Sequence, residues 1–142
     1  MLLGESVQRL DAKNRVTLPA KLRSHFADGV IVAKGVDPCL SVYTPGDFEA
    51  LVEGQLGRFS PFSREARAMG RHLYAGAYQT ELDRQGRVML QPPHLQHARI
   101  ERDIVVVGLR DMLEIWDLPT WRKTQAESEG SIEDVAESLS QQ

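Results

Sequence analysis

The sequence has few of the features that mark disulfide-rich, metal-binding, membrane or secreted proteins. Its 142 residues include one cysteine, Cys39, which excludes an internal disulfide framework and a multi-cysteine zinc site and predicts a cytoplasmic location. The longest apolar run spans residues 104–109, far short of the about 20 residues that cross a bilayer. Residues 1–10 have no cationic start and no long apolar stretch, so we expect no secretory signal and no membrane partner.

Acidic residues outnumber basic ones, but the surplus is confined to the C-terminus. The net charge of −3 comes from 17 Lys and Arg against 20 Asp and Glu. Residues 124–142 hold five acids and no Lys or Arg, so residues 1–123 carry 17 basic and 15 acidic side chains, a charge of +2. A local basic surplus is compatible with a nucleic-acid partner. The acidic segment is predicted to be a disordered tail that is dispensable for assembly.

The chain contains an internal repeat. Residues 11–18, DAKNRVTL, match residues 83–90, DRQGRVML, at an offset of 72, and after one inserted residue the offset is 73 through Phe48 and Trp121. Each repeat follows the pattern of a strand, a tight turn, a strand, a Pro-initiated short helix, a β-hairpin and a closing helix. Neither repeat has enough large side chains to bury a core alone. We therefore predict a mainly β fold with short helices (α+β), in which repeats 1 and 2 interlock as an intramolecular pseudo-dimer.

The repeats divide the chain into four segments. These are unit 1 at residues 3–47, a helical linker at 48–76, unit 2 at 77–120 and the acidic tail at 124–142. Within the linker, Ser60 and Pro61 are a helix start signal, and the apolar residues that follow recur at helical spacing.

The repeated turn carries the candidate functional residues. Each turn is predicted to be formed and oriented by an aspartate and by a residue that tolerates a left-handed backbone, namely Asp11 with Asn14 and Asp83 with Gly86. The candidate DNA contacts are the basic side chains at and beside the turns, namely Arg15, Arg87, Lys13, Arg84 and Arg9. Arginine suits this role because its planar fork bonds bidentately to guanine. An alternative stays open, in which the aspartates pair with the arginines and pin the turns.

No catalytic or metal-binding motif is present. The sequence has no glycine-rich phosphate loop, GxSxG elbow or HExxH motif. His94 and His97 lie three residues apart, but no acid or thiol completes a metal site, so both are predicted to be surface residues. Lys21 and Arg23 are predicted to lie on a solvated helix face. We predict no enzyme activity, no cofactor, no metal and no small-molecule substrate.

The repeated Asp-x-Lys-x-Arg-Val-x-Leu-Pro turn and strand, with its short helix and Val/Ile-rich hairpin, resembles the AbrB/SpoVT-type swapped-hairpin DNA-binding unit. Two such units joined by a helical linker, over residues 1–123, resemble the MraZ family. The resemblance implies an AbrB-like β-barrel and a transcriptional regulator of the division and cell wall gene cluster. Such a regulator would bind direct repeats in its own promoter, as double-stranded DNA, and would be located in the cytoplasm at the nucleoid.

The resemblance also implies a homo-oligomeric ring, with an octamer as the first expectation. The sequence departs from the family pattern at Asn14, where glycine is usual, and at Gln85, where a lysine would supply a phosphate contact. An alternative function, an AbrB-barrel interaction or assembly module without DNA binding, stays open because the net charge is acidic.

Overall fold

Strands and short helices follow one another in the same order in both repeats. The computed structural model describes residues 1–141. Its strands are β1 (Leu2–Arg9), β2 (Arg15–Thr17), β3 (Val30–Lys34), β4 (Leu40–Tyr43), β5 (Tyr78–Thr80), β6 (Arg87–Met89), β7 (Asp103–Arg110) and β8 (Leu113–Asp117). Its α-helices are α1 (Pro45–Leu56), α2 (Arg64–Gly70), α3 (Pro92–His97), α4 (Leu118–Glu129) and α5 (Ile132–Ser140). A 3-10 helix spans Ala20–Phe26, and a π-helical turn over Arg71–Ala75 extends α2.

The two repeats exchange strands. Strand β1 of repeat 1 pairs antiparallel with β7 of repeat 2, and β5 of repeat 2 pairs with β3 of repeat 1. Strands β4 and β8 pair with each other and complete a six-stranded sheet of order β1-β7-β8-β4-β3-β5. Strands β2 and β6 form a separate two-stranded ribbon in which Val16 opposes Val88. This exchange confirms the mainly β fold and the intramolecular pseudo-dimer.

The predicted barrel is not closed. Across residues 1–141 no backbone pairing joins β1 to β5, so these two strands are the edges of an open sheet. Strand β5 is only three residues long and pairs with β3 on one side. The β2–β6 ribbon covers the inner face of the sheet instead.

One hydrophobic core serves both repeats. It lies between the inner face of the sheet and the β2–β6 ribbon, and its fully buried members come in equivalent pairs such as Leu18 with Leu90 and Leu40 with Leu113. The pairing of Val16 with Val88 places a pseudo-twofold axis through the ribbon. Each repeat supplies about half of this core, and two smaller hydrophobic clusters lie on the outer face of the sheet.

The closing helices α1 and α4 cover the outer face of the sheet. They lie at an offset of 73 and begin with matching caps. The Thr44 hydroxyl accepts a hydrogen bond from the Asp47 N–H at 3.2 Å, and the Asp117 carboxylate accepts one from the Thr120 N–H at 3.2 Å. Helix α1 packs over repeat 1 and α4 over repeat 2.

The linker helix begins later than predicted. Ser63, rather than Ser60, caps α2, because its hydroxyl accepts a hydrogen bond from the Ala66 N–H at 3.1 Å. Phe62 therefore lies before the helix, where its side chain is 88% exposed. Helix α1 begins at Pro45, so the helical linker starts before residue 48.

The acidic tail is helical where disorder was expected. Helix α4 extends through the first part of the tail and α5 forms most of the rest. The apolar residues of α5 recur at helical spacing, which sets this segment apart from a uniformly polar tail. Neither of these helices, nor any other among residues 1–141, is long and apolar enough to span a bilayer.

His94 is buried, so its prediction as a surface residue is wrong. The side chain is 3% exposed, and its Nε2 donates to the Gly76 carbonyl oxygen at 2.9 Å. The reason is that the chain at Gly76, the last residue of the predicted linker, lies beside α3. Burial lowers the pKa of His94, with a smaller contribution from the nearby charges of Lys34 and His97, although the bond to Gly76 acts in the opposite direction. His97 is half-buried and hydrogen bonds to the Gly35 carbonyl oxygen at 2.9 Å.

We predict that His94 makes the protein less stable in acid. Its pKa in the folded state lies below the ordinary value of 6.5, so the unfolded chain binds the proton first. The free energy of unfolding should therefore fall as the pH drops below the ordinary value, by at most about 1.4 kcal/mol per pH unit from this group. The His94→Gln variant keeps an N–H donor without titrating and should flatten that slope in thermal melts from about pH 7.5 to pH 5. The exposed His25→Gln variant is the control, and an unchanged slope in His94→Gln would contradict the prediction.

Candidate nucleic-acid interface

Turn 1, residues 11–15, is held together by Asp11. Its Oδ1 atom accepts hydrogen bonds from the backbone N–H groups of Lys13 and Arg15, each at 2.9 Å. Its Oδ2 atom accepts a third hydrogen bond from Nε of Arg15 at 2.6 Å. One carboxylate therefore fixes both the backbone of the turn and the direction of the arginine side chain.

Turn 2, residues 83–87, repeats this geometry. Oδ1 of Asp83 accepts from the backbone N–H groups of Gln85 and Arg87 at 2.9 Å, and Oδ2 accepts from Nε of Arg87 at 2.7 Å. The φ angles of Asn14 and Gly86 are 59° and 73°, so both residues adopt the left-handed backbone that the turns require. The aspartates thus pair with the arginines, as the alternative interpretation predicted.

Both aspartates are ionised at neutral pH. Burial raises the pKa of Asp11, but the hydrogen bonds from Arg15 and Lys13 outweigh it, and the pKa stays below the ordinary value of 3.8. The backbone hydrogen bond from Arg87 is the largest influence on Asp83 and lowers its pKa. Each Asp–Arg bond is therefore charge-assisted. Within residues 1–141 the terminal guanidinium nitrogens of both arginines donate no hydrogen bond, which leaves them available to an outside partner.

The ribbon brings the two turns together in one surface. The Leu18 N–H donates to the Gly86 carbonyl oxygen and the Leu90 N–H to the Asn14 carbonyl oxygen, both at 2.9 Å. Each strand of the ribbon has only three residues, so the turns flank it closely on either side. Nη1 of Arg87 lies 3.9 Å from the carboxylate of Asp11 in the other turn. The valines of the ribbon face the core, which leaves its arginines on the outer surface.

Four of the five predicted DNA contacts share this surface. Arg15 and Arg87 begin the ribbon strands, and the exposed side chains of Lys13 and Arg84 lie in the turns. Arg9 precedes turn 1 by two residues. It lies on edge strand β1, where its Nε is 3.1 Å from the carboxylate of Asp103 across the β1–β7 pair.

Arg23 contributes to turn 2, which the sequence analysis missed by assigning it to a solvated helix face. Its Nε donates to the Leu18 carbonyl oxygen at 2.9 Å, and its guanidinium lies directly over Gly86. A Cβ atom at position 86 would collide with that guanidinium. The sequence contains a signal for this contact, because the position equivalent to Arg23 in repeat 2 is Gln96 and turn 1 has Asn14 where turn 2 has glycine.

We predict that Gly86→Ala destabilises the protein more than the matched variant Asn14→Ala. Both variants place alanine in a left-handed backbone, at a cost of about 1–2 kcal/mol relative to glycine and less relative to asparagine, which already has a Cβ atom there. Only Gly86→Ala also displaces Arg23 and its hydrogen bond, at a further cost of about 0.5–1.5 kcal/mol. Chemical denaturation of the two variants measures the difference, and prior removal of the guanidinium by Arg23→Ala should reduce it by that further cost. Equal destabilisation by the two variants would show that Arg23 does not constrain turn 2.

No set of three or more His, Cys, Asp or Glu side chains in residues 1–141 is arranged to hold a metal ion. Cys39 is buried. Burial raises the pKa of its thiol well above the ordinary range, and the carboxylates of Glu114 and Asp37 add to the effect. A thiol in this environment is a small apolar core residue rather than a nucleophile.

Two interlocked repeats that exchange strands, and that each present an Asp–Arg turn beside a shared ribbon, define a duplicated swapped-hairpin protein. A family model described as "MraZ protein, putative antitoxin-like" matches residues 1–72 and again residues 73–142. The chain therefore belongs to the MraZ family. The second match includes the acidic tail, which the resemblance over residues 1–123 left outside.

Relatives of nearly equal length are similar to this chain throughout. A protein of Salinispora tropica is 39% identical over 140 residues, which cover 98% of this chain and 97% of the relative. A protein of Lactiplantibacillus plantarum is 37% identical over 139 residues, covering 98% of both chains. A protein of Thermoanaerobacter pseudethanolicus is 35% identical over 139 residues, covering 98% of this chain and 96% of the relative. All three are named "Transcriptional regulator MraZ".

Proposed function

We propose that this protein is a transcriptional regulator that binds double-stranded promoter DNA through the outer surface of the β2–β6 ribbon and its two turns. The observation that carries the proposal is the pair of oriented guanidinium groups. Arg15 and Arg87 each bond to an aspartate through Nε and keep their terminal nitrogens free of hydrogen bonds within residues 1–141. A fork held in this way loses little further conformational freedom when it binds, which favours a bidentate contact with a guanine edge.

The shape and charge of the surface are also those of a DNA reader. A two-stranded β-ribbon fits the major groove of B-DNA, where the four base pairs present different hydrogen-bonding patterns. Lys13 and Arg84 flank the ribbon in exposed turns, where they would contact phosphates and replace condensed counterions. Gln85 stands in turn 2 at the position equivalent to Lys13, so a phosphate contact at that position is proposed for turn 1 alone, and Arg84 is the flanking cation of turn 2.

Membership of the MraZ family supports a more specific proposal about assembly and the DNA target. We propose that the protein assembles into a homo-oligomeric ring, with an octamer as the first expectation, and binds direct repeats in its own promoter within the division and cell wall gene cluster. Successive subunits would contact successive repeats, so individually weak contacts would add up through effective concentration. The protein would then act in the cytoplasm, at the nucleoid.

A binding titration across a salt series tests the proposal. The probes are a duplex from just upstream of the gene and a scrambled duplex of equal length. We expect tighter binding to the upstream duplex and a steep fall in affinity with salt, because released counterions contribute to binding. Equal and salt-independent weak binding to both duplexes would refute the proposal and favour an assembly module without DNA binding.

A further inference from the structure

Within residues 1–141, helix α5 has an apolar face with nothing packed on it. Ile132, Val135 and Leu139 are 58%, 47% and 64% exposed, and no residue of α5 is buried. Their spacing of three and then four residues places the three side chains on one face of the helix. An exposed apolar stripe bordered by polar residues is typical of a protein–protein contact.

The same helix is strongly acidic. Residues 132–140 contain Glu133, Asp134 and Glu137 and no Lys or Arg, a charge of −3. Two identical copies of α5 would repel each other, so this stripe is unsuited to pairing with itself. It needs an apolar partner surface with a basic rim.

The chain carries such a surface at the corner where α1 meets α2. A cavity of about 550 Å³ lies there, lined by Leu56, Gly57, Phe59, Pro61, Ala66 and Arg67. The exposed ring of Phe62 adjoins it in sequence. Residues 57–73 contain four arginines and one glutamate, a charge of +3. We name this surface the arginine-rimmed corner.

We propose that α5 of one copy docks in the arginine-rimmed corner of a neighbouring copy and so joins successive chains. The apolar face of α5 would contact the apolar cavity, and its charge of −3 would lie against a charge of +3. This inference rests on the proposed assembly into a homo-oligomer and identifies a contact within it. It also reverses the expectation that the tail is dispensable for assembly.

The geometry of one chain favours docking between copies. Helix α4 packs against β7 and β8 of repeat 2, whereas α1 packs against β3 and β4 of repeat 1, so the two lie over different halves of the sheet. Only Gly130 and Ser131 connect α4 to α5, and no residue of α5 is buried against its own chain. A contact between two different surfaces leads from copy to copy and closes into a ring when the rotation allows.

The first test removes the apolar stripe. The triple variant Ile132→Ser, Val135→Ser and Leu139→Ser should lose at least tenfold in association affinity, measured without DNA by sedimentation velocity over a concentration series. Its thermal melt at low concentration should stay unchanged, because none of the three side chains is buried. The control variant Val36→Ser with Leu109→Ser removes exposed apolar side chains elsewhere and should assemble normally. A triple variant with the full wild-type mass at every concentration would overturn the inference.

The second test exchanges charges across the contact. Arg67→Glu and Glu137→Arg should each weaken association, and the double variant should recover it. Mixing the triple variant with Arg67→Glu should give dimers and nothing larger, because each chain keeps one half of the contact. Docking of α5 within its own chain predicts no association in that mixture, so this outcome would also overturn the inference.

DNA binding separates this inference from the proposed function. The triple variant should bind a duplex with one repeat as the wild type does, and should lose only the additional affinity for several repeats. If the wild type itself binds no DNA while the triple variant still dissociates, the proposed function fails and the docking inference stands.

Discussion

Replacing Arg15 and Arg87 together with alanine is expected to abolish specific DNA binding while the fold is retained. A base-edge contact is worth about 1–3 kcal/mol, so each single variant should lose about 5- to 150-fold in affinity for its own promoter duplex. The loss grows in an oligomer, because every subunit presents the same defect to successive repeats. Arg15→Ala should have the larger effect, since Lys13 supports turn 1 whereas Gln85 stands at that position in turn 2.

Stability should change little in the same variants. Both arginines are about a quarter exposed, and ion pairs that reach solvent contribute about 0–1 kcal/mol to stability. Titration with promoter and scrambled duplexes, thermal melting and sedimentation on the same samples measure the three properties together. Arg122→Ala, an exposed arginine on α4, is the matched control and should bind DNA like the wild type. If Arg15→Ala protein melts much earlier or dissociates, the arginine acts mainly as a partner that pins Asp11.

Truncating Leu18 or Leu90 to alanine should destabilise the whole protein, whichever repeat is altered. Both side chains lie in the shared core, 0% and 2% exposed, and a buried Leu→Ala change costs about 2–5 kcal/mol. This cost is a large part of the about 5–15 kcal/mol that stabilises a typical domain. Because the strands are exchanged, one cooperative unfolding transition should shift in both variants.

Chemical denaturation followed by tryptophan fluorescence shows whether the two repeats unfold in one transition. Trp116 and Trp121 belong to repeat 2, so a Leu18→Ala shift seen by them shows that repeat 1 and repeat 2 unfold together. Circular dichroism should give the same midpoint. Met89→Ala, on the exposed side of the ribbon, is the control and should change stability slightly. Two separate transitions in Leu18→Ala, with the tryptophan signal unmoved, would show two independent domains.

The interlocked fold could be predicted from the sequence because its cause is in the sequence. A repeat at a constant offset, with too few large side chains in either half, leaves a shared core as the stable arrangement. The caps at Thr44 and Asp117 and the left-handed turn residues were equally predictable, since each depends on neighbours along the chain. The open edges of the sheet could not be predicted. The resemblance implies a barrel, and the length of β5 depends on tertiary pairing.

The parts that were missed depend on contacts between distant segments. His94 looks like the exposed residue at the equivalent position of repeat 1, and only the chain at Gly76, beside α3, buries it. Arg23 lies on a short helix of repeat 1 yet packs on turn 2. The charge of the tail predicts disorder, whereas the spacing of the apolar residues within α5 favours the helix that forms. In the candidate site, the conformation of each turn could be predicted from neighbouring residues. The position of both turns beside one ribbon depends on the tertiary fold and could not.

The pseudo-twofold axis relates two turns that are not identical, and this gives each subunit a direction. A true homodimer presents the same surface when it is rotated by half a turn, so it reads a palindrome equally well both ways. Here one side has Lys13 and Asn14, and the other has Gln85 and Gly86 beneath Arg23. Rotation therefore exchanges unlike surfaces, and under the proposed function one orientation on a given duplex is preferred. Subunits with one preferred orientation would bind successive direct repeats in the same orientation along the DNA.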